Sequence, residues 1–396
     1  MPERVIPHAE LPDMLVEREK TIQNIDTMAR TVVTPYGAET YYEAANPGYK
    51  RFFTRDSLLT MMIIGDPIRL AGQVDFAVHR LGQIANPPTG EQPGLPPHEW
   101  PAPGELIKPF REGRYTTYNA CDTGAELLRG IATLIEVGYP DARDKYAAAI
   151  KAVTGYIRSH VNSQGLFIED PAFAGVRGSH GHDRHFALRR TDWKDSELNR
   201  ATEREPNYPI VYSLAHFQNA DALQRIGRAI GNERLARFGR YMTEVGFQYL
   251  WNQDHFVTAI DKSGVIDSPA SDSLEALAYI NPSQLPIGYA KKIEDYMKSL
   301  ETDAGYRAGI PVADDLDMYH MQIWTHSQAI MHVGARRYGL GHAEAVTQRI
   351  TQFIDRNTGD YPELVNASTY DLNGNLQQLW AMAADAYFLS PERSFL

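Results

Sequence analysis

The sequence lacks any long apolar run and has almost no cysteine. No stretch reaches the roughly 18 consecutive apolar residues of a transmembrane helix, and the opening segment MPERVIPHAELPDM has no apolar core of a signal peptide. Cys121 is the one cysteine among 396 residues, so the chain cannot form an internal disulfide and offers no thiol pair for a structural zinc site. We therefore expect a cytoplasmic protein in which Cys121 is a small buried apolar residue.

Basic residues are too few for a protein that binds nucleic acid. Lys and Arg number 39 against 50 Asp and Glu, a formal net charge of −11, which argues against a footprint on nucleic acid or on an anionic membrane. Hydrophobic residues at 43% and charged residues at 22% are ordinary for a globular protein. A neutral small molecule is therefore the expected partner, and the composition leaves the oligomeric state open.

Strand patterns are scarce as well. Only GLFIED at 165–170 and HFVTAI at 255–260 look like short strands, while twelve segments show helical spacing, among them MLVEREKTIQNIDTMARTV at 14–32 and DPIRLAGQVDFAVHRLGQIAN at 66–86. Twelve helices in consecutive antiparallel pairs predict an all-α fold of six hairpins in a ring, an (α/α)6 toroid with one domain over 1–396. An α-solenoid is the alternative, but the sequence shows no repeat of fixed period.

Long loops separate the predicted helix pairs. Those at 87–118, 162–206 and 302–319 are rich in Pro, Gly, Trp and His, and loops longer than about 15 residues in a compact domain are usually functional. In a toroid the inner helices expose a funnel at one end. We expect its lining to come from the segments 51–57, 95–118, 190–197, 314–326 and 361–368.

Two segments combine carboxylates with arginine or tryptophan. FFTRDSLL places Arg55 and Asp56 at the start of an apolar helix, where Asp56 is either a helix cap or a ligand group. RRTDWKDSELN places Asp192 and Asp195 around Trp193, which is either a solvated charged loop or part of a site. Neither segment by itself decides between a structural role and a role in a binding site.

Two later segments can likewise be interpreted either as structural or as part of a binding site. DLDMYHMQIWTHSQA brings Tyr319, His320, Gln322, Trp324 and His326 together at the entry to a helix, and part of this stripe must be core. In YPELVNAS the proline fixes the backbone before Glu363, so this carboxylate is held on a stiff loop, where it either aims at a ligand or caps the helix expected near Asn373.

Taken together, the four segments have the chemistry of a sugar site. Aromatic faces cover the apolar side of a pyranose, while Asp, Arg, His and Gln bind its hydroxyl groups. Breaking a glycosidic bond needs two carboxyl groups, one protonated and one ionised. Asp195 and Glu363 are the candidate pair. Their positions on separate loops permit the spacing of about 6.5–9.5 Å that an inverting mechanism requires.

The ordered set of motifs resembles a known family. TRDSL, GLPPHEW, DWKDS, MYHMQIW, YPEL and NLQQLWAMAA occur in the order of the blocks of the glucosidase domain of glycogen debranching enzymes, over residues 50–388. The chain is similar, more distantly, to processing α-glucosidases and glucoamylases. The resemblance implies an (α/α)6 fold and an inverting hydrolase that removes terminal α-linked glucose, with the debranching-type α-1,6 linkage favoured and without a cofactor.

The resemblance also implies roles for individual residues. Asp195 matches the general acid and Glu363 the general base, while Arg55 and Asp56 match the pair that binds the terminal glucose. The further substrate-binding candidates are subsite and aromatic positions, namely His98, Glu99, Trp100, Trp193, Tyr319, His320, Gln322 and Trp324. We expect burial against Trp193, or a neighbouring carboxylate such as Asp192, to raise the pKa of Asp195, with Lys194 opposing.

The chain departs from the family in two respects. His326 in IWTHS stands where the family has an aromatic neighbourhood, and neither a glucanotransferase domain nor an amino-terminal β-sandwich is found. A small α-glucoside or a short oligosaccharide is therefore a better expected substrate than glycogen.

Several motifs admit other functions. SHGHDRHF clusters His180, His182, Asp183 and His185, but we expect a polar lid and no metal, since inverting glycosidases need none. Trp380 is expected in the core. Asp122 and Glu126 either face the funnel or cap a helix. A sugar epimerase using His320 and His326 as bases, and an inactive sugar-binding protein, remain alternatives.

Overall fold

The computed structural model describes residues 11–106, 108–176, 186–188, 190–194, 206–310 and 320–396. Its α-helices are α1 Leu11–Thr27, α2 Thr54–Ile64, α3 Pro67–Val78, α4 Thr123–Glu136, α5 Ala142–Lys145, α6 Ala147–Ser159, α7 Ser213–Ala229, α8 Glu233–Tyr249, α9 Asp272–Ala276, α10 Tyr289–Met297, α11 Thr325–Tyr338, α12 Gly341–Gln348 and α13 Leu379–Leu389.

Six helices form a closed inner ring. In order around the ring they are α2, α4, α7, α9, α11 and α13, each of which contacts the next, and α13 contacts α2. Every residue of α2 is buried, which agrees with its almost uninterrupted apolar sequence LLTMMII. The predicted (α/α)6 toroid is therefore confirmed, while its extent as one domain over 1–396 stays a prediction.

The outer helices complete the ring in an order that the sequence did not indicate. Helices α3, α6, α8, α10 and α12 each pack on the inner helix that precedes them, but α1 packs on α13. The Thr21 hydroxyl of α1 donates to Asp385 Oδ2 of α13 at 2.9 Å. The ring thus consists of five consecutive hairpins and a sixth pair formed by the first and last helices, rather than six consecutive hairpins.

The first predicted helix was too long. Helix α1 ends at Thr27, and β1 Ala29–Thr34 pairs antiparallel with β2 Gly37–Tyr42. The sequence TVVT supplies a run of β-branched residues, which favours a strand. Pro35 and Tyr36 form the turn, and Gly37, with φ of +110°, follows it as the first residue of β2. Likewise α3 ends at Val78 and not at Asn86, and Asp66 caps its start by accepting from the Ile68 and Arg69 backbone N–H groups.

The strands are short hairpins in the loops. Beyond β1 and β2 they are β3 Phe52–Phe53, β4 Glu99–Trp100, β5 Val211–Tyr212, β6 Trp251–Asn252, β7 His255–Phe256, β8 Ala259–Asp261, β9 Gly264–Ile266, β10 Glu301–Thr302, β11 Gly305–Tyr306, β12 Gln322–Trp324, β13 Leu364–Asn366 and β14 Leu372–Asn373. The predicted strand at 255–260 corresponds to β7 and β8. The segment 165–170 contributes only isolated bridges at Phe167 and Glu169.

One small sheet connects distant loops at an end of the ring. Strands β12, β13 and β14 pair in that order, with Trp324 opposite Leu364. Because β12 leads directly into α11, the sheet places the Glu363 loop beside the N-terminus of an inner helix. Among the described helices, none is both long and apolar enough to cross a membrane.

Candidate active site

A pocket lies at the end of the ring where α2, α11 and α13 begin. It encloses about 500 Å³ of empty space including its mouth. Its lining residues are Ala44, Tyr49, Phe53, Arg55, Asp56, His98, Trp193, Trp324, Glu363, Gln378 and Trp380.

Three tryptophans form the aromatic wall of this pocket. Trp324 stands nearly perpendicular to Trp193 and to Trp380, with ring centroids 5.7 and 6.2 Å apart. The indole N–H groups of Trp193 and Trp380 are buried and have no hydrogen-bond partner within the described part of the chain. Each can therefore donate to a ligand hydroxyl while its ring covers an apolar ligand face.

Arg55 is held in a bidentate ion pair behind the pocket. Its Nε donates to Asp122 Oδ2 and its Nη2 to Asp122 Oδ1, both at 2.9 Å. Asp122 is fully buried and precedes α4, yet its side chain makes no capping bond and turns to Arg55 instead. Asp122 therefore faces the ring interior, one of the two placements expected for it.

Asp56 lies in the first turn of α2 and is not its cap, since the N-cap position is Phe53. Burial raises the pKa of Asp56 to about 7. Arg55 opposes this shift, and Glu363 and Asp122 add to it. The increase in this pKa caused by desolvation thus exceeds the decreases caused by the nearby cation and by the helix N-terminus. Near neutral pH, this carboxyl group is partly protonated.

Glu363 is fixed by a loop and by a small sheet. Its Oε2 accepts from the backbone N–H of Asn375 at 3.1 Å and from Asn375 Nδ2 at 2.9 Å. Within the described part of the chain, Oε1 receives one longer contact, from Gln378 Nε2 at 3.4 Å. Thr325 binds the backbone on either side, donating to the carbonyls of Pro362 at 2.6 Å and Glu363 at 3.2 Å. Glu363 does not cap a helix, because α13 begins at Leu379 with Gln378 as its N-cap.

A glycine makes the close packing around Glu363 possible. Gly374 has φ of +71°, and a Cβ atom at this position would lie 2.7 Å from Glu363 Oε2. Any other residue would be strained there and would also displace the carboxylate. The turn at 374–375 is therefore shaped to hold Glu363.

Two neutral histidines adjoin the pocket. Burial, assisted by Arg55, lowers the pKa of His98 to about 3 and the pKa of His326 well below its usual value. The Nδ1 atoms of both rings lack a hydrogen-bond partner among the described residues. His326 stacks on Trp380 with 3.7 Å between centroids. It thus restores a flat ring at the position where the family resemblance predicts an aromatic neighbourhood.

The charged residues on either side of Trp193 form ion pairs with other residues. Arg190 binds Asp192 through Nε at 2.8 Å, and Lys194 Nζ donates to Asp272 at 2.5 Å and to the Ala308 carbonyl at 3.2 Å. All four side chains are buried. The charges of Asp192 and Lys194 are therefore already compensated by other residues, which weakens their expected influence on Asp195.

The pocket brings together six of the residues selected from the sequence: Arg55, Asp56, His98, Trp193, Trp324 and Glu363. Glu99 and Trp100 lie on the neighbouring strand β4, where Glu99 forms an ion pair with Arg51 at 3.2 Å. His320 and Gln322 are buried at the entry to β12 and do not line the pocket. Asp195 and Tyr319 lie outside the described residues, so their roles stay predictions.

Four lining residues, Ala44, Tyr49, Gln378 and Trp380, fall outside the segments expected to line the funnel, and Phe53 falls within the expected segment 51–57 but was not a candidate site residue. Trp380 was expected in the core, and it does belong to the core cluster, but it also faces the pocket. Gln378 and Trp380 fall within the block NLQQLWAMAA, which contributed to the family resemblance but not to the set of candidate residues. Cys121 is fully buried, as expected.

A metal centre finds no support in the described part of the chain. No group of three or more His, Cys, Asp or Glu side chains there is arranged to hold a metal ion. The cluster His180, His182, Asp183 and His185 lies outside the described residues.

The fold is shared with solved glycosidase structures. A GH63 mannosylglycerate hydrolase from Thermus thermophilus, in complex with Tris and D-glycerate, is 14% identical with a TM-score of 0.65, covering 94% of this chain and 99% of that chain. The same enzyme in complex with glucose gives 14% identity, a TM-score of 0.64 and the same coverage. A glycosidase variant in complex with glucose is 13% identical with a TM-score of 0.63, covering 99% and 100%. No protein-family model and no curated protein matches the sequence.

Proposed function

We propose that this protein is an inverting glycoside hydrolase that removes a terminal α-linked glucose from a small α-glucoside. The observation that carries the proposal is one pocket that joins a partly protonated Asp56, a carboxylate at Glu363 held by Asn375, and a wall of three tryptophans. A pyranose needs both an apolar cover and polar groups that bind its hydroxyls. Asp56 and the free indole N–H groups are such groups.

In this mechanism Glu363 is the general base. Two donors from Asn375 hold Oε2, so Oε1 is the oxygen that accepts a proton from water. Asp195 is the general acid that protonates the leaving oxygen. Water then attacks the face opposite the leaving group, and an α-glucoside yields β-glucose without a covalent intermediate.

The choice of substrate has two sources of support. The sequence resemblance favours an α-1,6 linkage of the debranching type. The similar structures favour a short substrate, since one is a mannosylglycerate hydrolase with D-glycerate bound and others hold glucose. A hexose joined to a small hydroxy acid such as glycerate is therefore a substrate class to test beside the oligosaccharides.

The alternatives fit the site less well. An epimerase moves a proton at carbon with a base whose pKa lies near the working pH, yet burial lowers the pKa of His326, and the other candidate base, His320, does not line the pocket. A purely sugar-binding protein does not require a carboxylate held as Glu363 is. Free sugars interconverted without hydrolysis would indicate an epimerase, and binding without turnover would indicate the binding protein.

The test is a panel of α-1,2, α-1,3, α-1,4 and α-1,6 glucosides together with glucosylglycerate and mannosylglycerate, assayed for released hexose. Proton NMR of the first turnovers should show β-glucose from an α-glucoside. Initial release of α-glucose would contradict inversion and the role of Glu363. Release of hexose by the Glu363→Gln variant at the wild-type rate would do the same.

A further inference from the structure

A second cavity lies away from the sugar pocket, where the inner helices α7 and α11 end. It encloses about 680 Å³ of empty space including its mouth, and its lining contains Arg129, Arg225, Arg228 and Arg337, one carboxylate side chain, Asp221, and the last residue of the printed sequence, Leu396. No residue lines both this cavity and the sugar pocket. In a chain with a formal net charge of −11, such a concentration of arginine is a local exception.

Two of the four arginines are compensated by carboxylates. Arg129 is buried and contacts Glu126 Oε2 and Asp221 Oδ2, both at 3.1 Å. Arg225 donates to Glu136 Oε2 from Nε at 3.0 Å and from Nη2 at 2.8 Å. These pairs fix two guanidinium groups in the wall of the cavity.

The other two arginines have no carboxylate partner among the described residues. Arg337 donates from Nη1 to the Ala278 carbonyl at 2.6 Å and forms no ion pair, and the exposed Arg228 forms none either. Burial lowers the pKa of Arg337, and the positive charges of Arg129 and Arg225 lower it further while Asp221 opposes. The cavity thus has an excess of positive charge at Arg337.

The helix ends do not neutralise this excess. Arg228 is in the last turn of α7 and Arg337 in that of α11, where the helix dipole offers about half a negative charge to a nearby cation. Two whole charges therefore exceed what the helix C-termini supply. A bound anion would complete the compensation.

We propose that this cavity binds a small oxyanion of the phosphate class, at a site distinct from the sugar pocket. Guanidinium groups present planar N–H pairs that match phosphate oxygens, and Arg is preferred over Lys for such recognition. The site joins four arginines from three inner helices, α4, α7 and α11. Free phosphate and the phosphate group of a phosphorylated metabolite share the chemistry required.

The test is thermal unfolding of the whole protein in increasing inorganic phosphate, with sodium chloride adjusted to keep the ionic strength constant. A ligand that binds only the folded state raises Tm in a saturable manner. We expect Arg337→Gln and Arg228→Gln each to weaken the apparent phosphate affinity roughly tenfold, as expected for loss of a charged hydrogen bond. Arg158→Gln, which removes an exposed arginine from α6 that lines neither cavity, should keep the wild-type response.

The outcomes separate binding from general charge effects. A Tm that does not rise with phosphate, or that rises equally in all four proteins, would overturn the proposal. The Arg228 side chain makes no hydrogen bond among the described contacts, so its variant should fold even if Arg337→Gln does not. Repeating the titration with glycerol 3-phosphate distinguishes the sources. If glycerol 3-phosphate binds more tightly than phosphate, the site is assigned to a phosphorylated metabolite. If the two bind equally, the site is assigned to free phosphate.

Discussion

The two ends of the inner ring carry opposite charges. Where the inner helices begin, the described carboxyl groups of Asp56, Asp122 and Glu363 lie near Arg55. Where α7 and α11 end, four arginines surround Asp221. Helix dipoles favour this arrangement, because N-termini stabilise anions and C-termini stabilise cations.

The helix dipole is nevertheless not the strongest influence on these charges. At the pocket end, the pKa of Asp56 rises to about 7 despite its place in the first helical turn. Burial of a carboxylate destabilises its charged form by more than a helix terminus stabilises it. The pocket end therefore keeps a proton available near neutral pH, and the arginine end keeps its charge at any physiological pH.

The largest effect is expected at the carboxylate held most firmly in the pocket. Glu363→Gln keeps the shape and the hydrogen-bond acceptor at one oxygen but cannot accept a proton from water. We expect kcat to fall by roughly 10²–10⁴, the scale of general base catalysis, with Tm within a few degrees of wild type. Measured glucose release above a tenth of the wild-type rate would show that Glu363 is not the base.

A substitution of Asp56 tests whether the pocket binds sugar through this buried carboxyl group. Asp56→Asn removes the charge and retains an amide of similar size, so we expect kcat/KM to drop roughly 10- to 100-fold through loss of a charged hydrogen bond. Steady-state kinetics on the best substrate of the panel measures this decrease in kcat/KM. Unchanged kinetics would leave Asp56 with a structural role.

If Glu363 is the base as proposed, Asn375 acts through it as a positioning residue. Asn375→Ala removes the side-chain donor at 2.9 Å, and we expect kcat to fall roughly tenfold with little change in KM. The exposed Asn357→Ala is the matched control. A parallel rise in KM, or an equal loss in the control, would indicate general disturbance of the fold instead.

The smallest effect concerns pH and stability. Burial raises the pKa of Glu169 to about 7, while an unfolded Glu titrates near 4.3. Between these values the folded state holds a proton that the unfolded state has released, so this group makes the free energy of unfolding fall as pH rises from about 4 to 7. Burial raises the pKa of Asp56, Glu126 and Glu275 to about 7 as well, and they act in the same direction.

Glu169→Gln should reduce this dependence. Urea denaturation at pH 5 and pH 8 should show a smaller loss of stability in the variant than in the wild type, because one proton no longer takes part. The exposed Glu244→Gln should leave the difference unchanged. An identical pH dependence in all three proteins would mean that Glu169 titrates normally.

Much of the fold and of the pocket could be predicted from the sequence because it depends on local patterns. Helical periodicity indicated the helices of the ring, among them α3, which begins at Pro67 with Asp66 as its cap. Motif order selected six pocket residues, including Arg55, Asp56 and Glu363. The β-branched run after α1 was misread as helix, because its strand forms only by pairing with β2.

The sequence by itself determined that the ring is built of helices, though not all their ends, and that carboxylates, tryptophans and histidines stand near the N-terminal ends of some of them, since periodicity and end signals are local. Only the tertiary structure decided that α1 closes the ring against α13, that Trp380 faces the pocket as well as the core, and that Asn375 and Gly374 hold Glu363. It also decided the charge state of Asp56 and the gathering of four arginines at the other end. These features depend on burial and on distances between residues far apart in the chain, and both exist only once the ring has closed.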